Sequence, residues 1–225
     1  MRNKSIKKIH VFPVVLSVAL ILGLAGHSRT EEPDPVLKYY WDNAAETARA
    51  TNPSNTDVSY KITARTFCHR IGSGGSIAST DTVNCEYFYT GNRLDSLRAG
   101  EGKEACARKA DLTIPHIFDN SYELSLFPND TGGAGLAIGL TSDSTATGQP
   151  DGLLVIDRKS YVMKNLYLYY PDKEGYRRFT RSFRLIESQG FVFPDSVWEV
   201  GTKLGIFSSE NYRTETGVTD IIILP

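Results

Sequence analysis

Histidine and cysteine are scarce in this chain, and much chemistry is excluded with them. Of four histidines in 225 residues, His10 and His27 fall at the very start, leaving His69 and His116 for the body. The three cysteines, Cys68, Cys85 and Cys106, are widely spaced, and no CxxC occurs, so no thiolate zinc motif is present. No GxSxG elbow supplies a hydrolase nucleophile. The stretch "GGAGLAIG" (132–139) lacks the Lys-Ser/Thr of a phosphate loop and reads as a glycine-rich turn entering a strand. Cys68 and His69 are adjacent on a strand pattern, so they point to opposite faces and make no dyad. Asp157, Glu187 and Asp195 offer carboxylates at no spacing that implies acid–base work. The expectation is a protein that is not an enzyme, needs no cofactor and holds no metal. A hydrolase is the minor alternative.

Runs of like charge and basic patches are also missing, which excludes a nucleic-acid footprint. The first 26 residues carry four of the 25 Lys+Arg and none of the 26 Asp+Glu. The rest has 21 basic and 26 acidic groups, a net charge near −5. Long hydrophobic runs are absent after Leu24. The one at Val11–Leu24 is shorter than the roughly 18–20 residues a membrane span needs. Behind Arg2, Lys4, Lys7 and Lys8, and ahead of Ala25, Gly26 and Ser28, it has the three-part form of a secretory signal. "LGLAGHS" has the shape of a lipobox with His27 in place of the acylated cysteine. The expectation is a signal over 1–28 and one domain over 29–225, soluble after cleavage, in the periplasm or another extracytoplasmic space. Three thiols in such a compartment can oxidise, and an odd number leaves at least one over.

What is present is mostly strand. "DPVLKYYWDNAAETARA" (34–50) is the one convincing helix, with Asp34 as N-cap, Pro35 at its first position and an apolar stripe of Leu37, Tyr40, Trp41, Ala44, Ala45 and Ala48. Alternating segments follow at 58–70, 82–97, 122–130, 135–143, 152–170, 176–185, 190–200, 205–216 and 218–224, separated by Gly, Pro, Asn and Asp. The polar segment 98–111 reads as a loop with a short strand. Successive strands with short connections favour an antiparallel meander, and a large one must curl. The fold class expected is mainly β: a strongly curved antiparallel sheet forming an incomplete β-barrel, with the amphipathic helix covering its mouth.

The hairpin "LYLYYPDKEGYRRFTRSFRL" (166–185) carries the most rings. A turn centred on Lys173 places Tyr167 opposite Phe179, Met163 opposite Phe183 and Tyr161 opposite Leu185, on one aromatic face with Arg177 and Arg181. Arg178 and Arg184 then face water. A cavity between helix and sheet would be lined by Trp41, Tyr87, Tyr161, Met163, Tyr167, Phe179 and Phe183, and an ordinary aromatic core competes with that reading. Cys68 and Cys85 are equidistant from the centre of a loop over 72–81, so a hairpin there sets them opposite each other, within disulfide range. The rival is Cys85–Cys106, and no bridge is the third outcome. Cys106, among Glu104, Arg108 and Lys109, is expected to be the most exposed.

A helix followed by "VSYKITARTF", and later "DGLLVIDRKSYVMKNLYLYYPD" with "TRSFRLIESQGFVFPDSVWEVGTKLGIFSSENYR", resembles the bacterial lipoprotein-carrier superfamily, LolA-like, over most of residues 34–224. The resemblance implies a half-barrel whose helix covers an apolar cavity for acyl chains. The family's cavity arginine has no certain counterpart; Arg177 and Arg181 are the candidates. The partner expected is an apolar small molecule or acyl chain, or else a lipoprotein or envelope protein, bound by a monomer. The alternative is a non-catalytic structural or protein-interaction module of the same fold with a filled core.

Overall fold

Asp34 caps helix α1 (Pro35–Thr51), its carboxylate accepting from the Val36 N–H at 2.8 Å. The expected stripe turns inward, with Leu37, Ala44, Ala45 and Ala48 buried, while Lys38 and Asp42 pair on the outer side at 2.8 Å. The computed structural model describes residues 34–225 except 109, 120, 128–133, 143–147, 172, 206–208 and the side chain of Glu104. The expected leader at 1–28 lies outside the described residues.

Ten strands follow: β1 (Ser59–Ile71), β2 (Ile77–Thr90), β3 (Arg93–Ala99), β4 (Tyr122–Phe127), β5 (Gly135–Ser142), β6 (Asp151–Asp157), β7 (Met163–Tyr170), β8 (Tyr176–Ser188), β9 (Phe191–Leu204) and β10 (Ser209–Ile223). They form one antiparallel sheet in the order β3-β2-β1-β10-β9-β8-β7-β6-β5-β4. The sheet does not close: β3 and β4, neighbours in sequence, are its two opposite edges. This is the expected incomplete barrel. Alternation is clean along β1, where Tyr60, Ile62, Ala64, Thr66 and Cys68 are buried.

Several boundaries differ from expectation. The segment 82–97 turns at Gly91, whose positive φ of 58° suits glycine, and becomes β2 and β3. The segment 152–170 turns after Asp157, whose carboxylate accepts from the N–H groups of Lys159 and Ser160 at 2.9 Å each, so it becomes β6 and β7. The stretch 209–223 is one strand, β10, inside the sheet between β1 and β9. Residues 98–111 hold the end of β3 and one turn of helix, α2 (Glu104–Ala107).

The β7–β8 hairpin turns one and a half residues later than expected. Gly175 adopts φ 77°, the Tyr176 N–H donates to the Lys173 carbonyl at 3.0 Å, and the pairs are Tyr170–Phe179, Leu168–Arg181 and Leu166–Phe183. A half-residue change in turn centre inverts one arm. Phe179 and Phe183 face inward and Arg178 and Arg184 outward, as expected. Leu166, Leu168 and Tyr170 replace Tyr167 on the inner face, and Tyr167 is 37% exposed on the outer one. A bulge between Val155 and Ile156 returns Met163 to the inside, opposite Ile156. Arg177 is exposed, because β8 is irregular between Tyr176 and Arg178 where it pairs with β9.

The cysteine expectation is overturned. Cys68 is bonded to Cys106, with Cα atoms 6.0 Å apart, and Cys85 is a buried free thiol. The hairpin turn spans Gly72–Ser76, Gly72 N–H to Ser76 carbonyl at 2.8 Å, so the pairing is centred about two residues earlier than the middle of a 72–81 loop. Cys85 thereby pairs with Ala64, and Cys68 with Asp81. Cys106 is only 8% exposed, because α2 folds back onto β1, β2 and β3.

Candidate functional site

The concave face is the one surface that gathers the expected residues, so the site is built from it. Its lining comes from alternate residues of nearly every strand: Ile62, Tyr87, Ile138, Leu154, Ile156, Leu166, Phe183 and Val197 are all buried. Each buried aromatic or aliphatic side chain contributes roughly 1.5–3 kcal/mol of transfer energy, so this face must be covered.

Two covers meet it. One is α1, where Trp41 packs on Phe118 with ring centroids 4.6 Å apart and on Tyr122 at 6.2 Å. The other is the connection over 100–121, which runs from edge strand β3 to edge strand β4 and is called the strap below. Cys106, Ala107, Ala110, Leu112, Ile114 and Ile117 of the strap are buried in the same cluster as the sheet residues. It is tied at its start by the disulfide and by the Tyr87 hydroxyl, which donates to the Ala107 carbonyl at 3.1 Å. Midway, Asp111 accepts from Arg181 at 3.0 Å.

Beneath the strap the concave face is not uniformly apolar. Thr66 and Thr216 share a buried hydroxyl hydrogen bond at 3.0 Å, and Thr214 is buried beside them. Next on this row Glu199 accepts from Arg181 Nε at 2.6 Å. Burial raises the Glu199 carboxyl above its ordinary range, against the pull of that guanidinium. Lys173 sits over the Phe179 ring, 3.6 Å from its centroid, and 5.5 Å from those of Tyr170 and Tyr176. Burial lowers its ammonium pKa, and Arg181 lowers it further.

The structure therefore brings Tyr87, Met163, Phe179, Phe183 and Arg181 to the concave face and Trp41 to its cover. Tyr161 stands at the rim, in the β6–β7 turn with φ 58°, its hydroxyl 3.0 Å from that of Tyr39. Tyr167 and Arg177 point away. Sequence reading missed the strap, Glu199 and the inward threonines. For Glu199 a trace existed: two-residue periodicity from Val197 makes Glu199 inward and Trp198 outward, yet the tryptophan looks like the core residue. The strap had none, since its apolar residues are scattered among polar ones.

Two hollows are found among the described residues. The hollow beside α1, lined by Ala45, Ala48, Pro115, His116, Phe118 and Met163 among others, holds about 40 Å³. A groove of about 280 Å³ at 54–57 and 90–92 is open and mostly polar. Among the described residues no three His, Cys, Asp or Glu side chains gather as metal ligands.

No protein-family model matches the chain, and no curated protein matches it in sequence. Solved structures do. A domain assigned to outer membrane lipoprotein sorting, from Vibrio parahaemolyticus, is 11% identical over 83% of this chain and 93% of its own, with a TM-score of 0.47. A LolA superfamily protein from Nitrosomonas europaea is 10% identical over 84% and 94%, at 0.42. The MucA/MucB complex of Pseudomonas aeruginosa contains a chain 9% identical over 79% and 94%, at 0.23. Of these, the Nitrosomonas europaea protein bears the LolA superfamily name.

Proposed function

We propose that this is a non-catalytic binding protein of the bacterial envelope, exported by its N-terminal leader, that works through the concave face of its half-barrel. An apolar molecule or acyl chain lies there when the strap moves aside, against Trp41, Tyr87, Met163, Phe179 and Phe183, with Tyr161 at the rim and Arg181 as the polar contact. One observation carries the reading. The apolar face of an open ten-stranded sheet is covered by a connection and a helix rather than by a second sheet. A cover of that kind moves as a unit, without breaking a strand ladder. Carriage of a lipoprotein or lipid is the finer form of the reading.

The small hollow of about 40 Å³ favours a second reading, an interaction module with a permanently filled interior that binds another envelope protein by its surface. Organic extraction and mass spectrometry of the protein purified from an envelope fraction separate the two. Stoichiometric co-purified lipid supports the first. Its absence, together with no saturable binding of palmitate at about 1 µM, where a Kd means roughly −8 kcal/mol, leaves the second.

A further inference from the structure

The strap is joined to the sheet in an unusual way. Among the described residues its backbone-to-backbone hydrogen bonds are local: Cys106 and Ala107 to Lys103, Ala110 to Ala107, Ile117 to Pro115 and Asp119 to His116. Polar side-chain ties join it to the sheet: Lys103 to the Thr82 carbonyl at 2.7 Å, Tyr87 to Ala107, Arg181 to Asp111, and Tyr89 to the Leu112 backbone and the Thr113 side chain. The covalent tie is Cys68–Cys106, which fixes the strap 38 residues along the chain from β1. It sits under α2 with Cys68 and Cys106 each 8% exposed, while Gly100–Lys103, Ala105 and Arg108 above it are exposed. The third thiol, Cys85, is buried, and burial holds it above the ordinary thiol range, so it is a poor nucleophile for exchange.

We infer that the Cys68–Cys106 bond is a redox latch: its reduction by a dithiol frees the strap and opens the concave face to an acyl chain. The opening half rests on the binding reading above, whereas the release of the strap does not. In the step, a thiolate of the reductant attacks the Cys106 sulfur and the Cys68 sulfur leaves as a thiolate and takes a proton. The reductant's second thiolate then displaces Cys106, closing the reductant's own disulfide and leaving two protein thiols. Strap opening then costs the loss of its side-chain packing and of those polar ties, with no strand ladder to unzip among the described residues. Removing a cross-link over 38 residues shifts such an opening equilibrium by roughly a hundredfold or more.

The test uses the full mature chain in the Cys85→Ala background, oxidised and after dithiothreitol, with thiols counted by mass after alkylation. Hydrogen exchange reads the strap at 100–119 and, as control, the central strands β9 and β10. Palmitate titration reads the concave face. The latch predicts strap exchange faster by about a hundredfold, unchanged protection in β9 and β10, and at least tenfold tighter palmitate binding after reduction. Cys106→Ser should behave like the reduced protein without reductant. Unchanged strap protection in fully reduced protein overturns the latch, as does loss of protection throughout the sheet, which would make the bond merely structural. Equal palmitate affinity in both forms overturns it while leaving the binding reading standing. A freed strap with no palmitate binding supports the latch and removes the acyl-chain reading.

Discussion

The sheet and the strap contribute to the same apolar cluster, yet they hold their residues differently. Phe183 is fixed by two neighbouring strands, opposite Leu166 on β7 and Val197 on β9. Leu112 is also buried, but its segment is in no strand ladder, and its backbone meets the sheet through the Tyr89 side chain. Burial alone therefore does not describe how firmly a side chain is held. A residue in a ladder opens only when the sheet opens, and a residue in the strap opens when the strap lifts.

The comparison is broken most directly by Phe183→Ala, which should cost ~3–5 kcal/mol in global denaturant unfolding, since the ring is 1% exposed. Leu112→Ala should cost ~2–4 kcal/mol by the same cavity logic. Its signature should be local, with proteolysis or hydrogen exchange in 100–119 rising before the global midpoint moves. Equal falls in the midpoint for both would show strap and sheet to be one cooperative unit. Tyr87→Phe removes one buried hydrogen bond to the strap and should cost ~1 kcal/mol, again in strap exchange. Arg184→Ala, on the outer face and paired with Asp195 at 3.2 Å with its side chain 68% exposed, should change stability by less than about 0.5 kcal/mol.

The smallest effect concerns the turn that carries Tyr161. Asp157 has its carboxyl pKa lowered by the Ser160 and then the Lys159 backbone N–H groups. A lowered folded value means that its contribution is present above the unfolded value of about 3.9 and is lost as pH falls through the folded one. Midpoints for wild type and Asp157→Asn should differ above about pH 4 and converge in acid. A gap that persists at low pH would show the turn to rest on something other than that carboxylate.

Much of the sheet was legible because strand alternation is local. The inward set on β1 and the β8 arm with Phe179 and Phe183 follow from period two alone. What failed was the joining of strands. The β7 arm inverted because Gly175 moves the turn centre by one and a half residues, and Cys85 missed Cys68 because the Gly72–Ser76 turn moves the pairing centre about two residues earlier. Arg181 was recoverable from its phase with Phe179 and Phe183. The strap was not, because Leu112, Ile114 and Ile117 become interior only through a path between two sheet edges that are far apart. A pairing such as Cys68–Cys106 depends on that path and carries no local pattern.

The position of β10 has a consequence for the order of folding. The last strand in the sequence is the inner seam of the sheet, with β1 on one side and β9 on the other. Until residues 209–223 are available, the wing of β1, β2 and β3 has no ladder to the wing of β4 through β9. Two partial sheets must wait with exposed edges, and joining β1 to β10 closes a span of about 150 residues, as in Thr66 with Thr216. Such distant pairing is slow. A chain emerging in sequence order therefore cannot complete its sheet until its last strand is made.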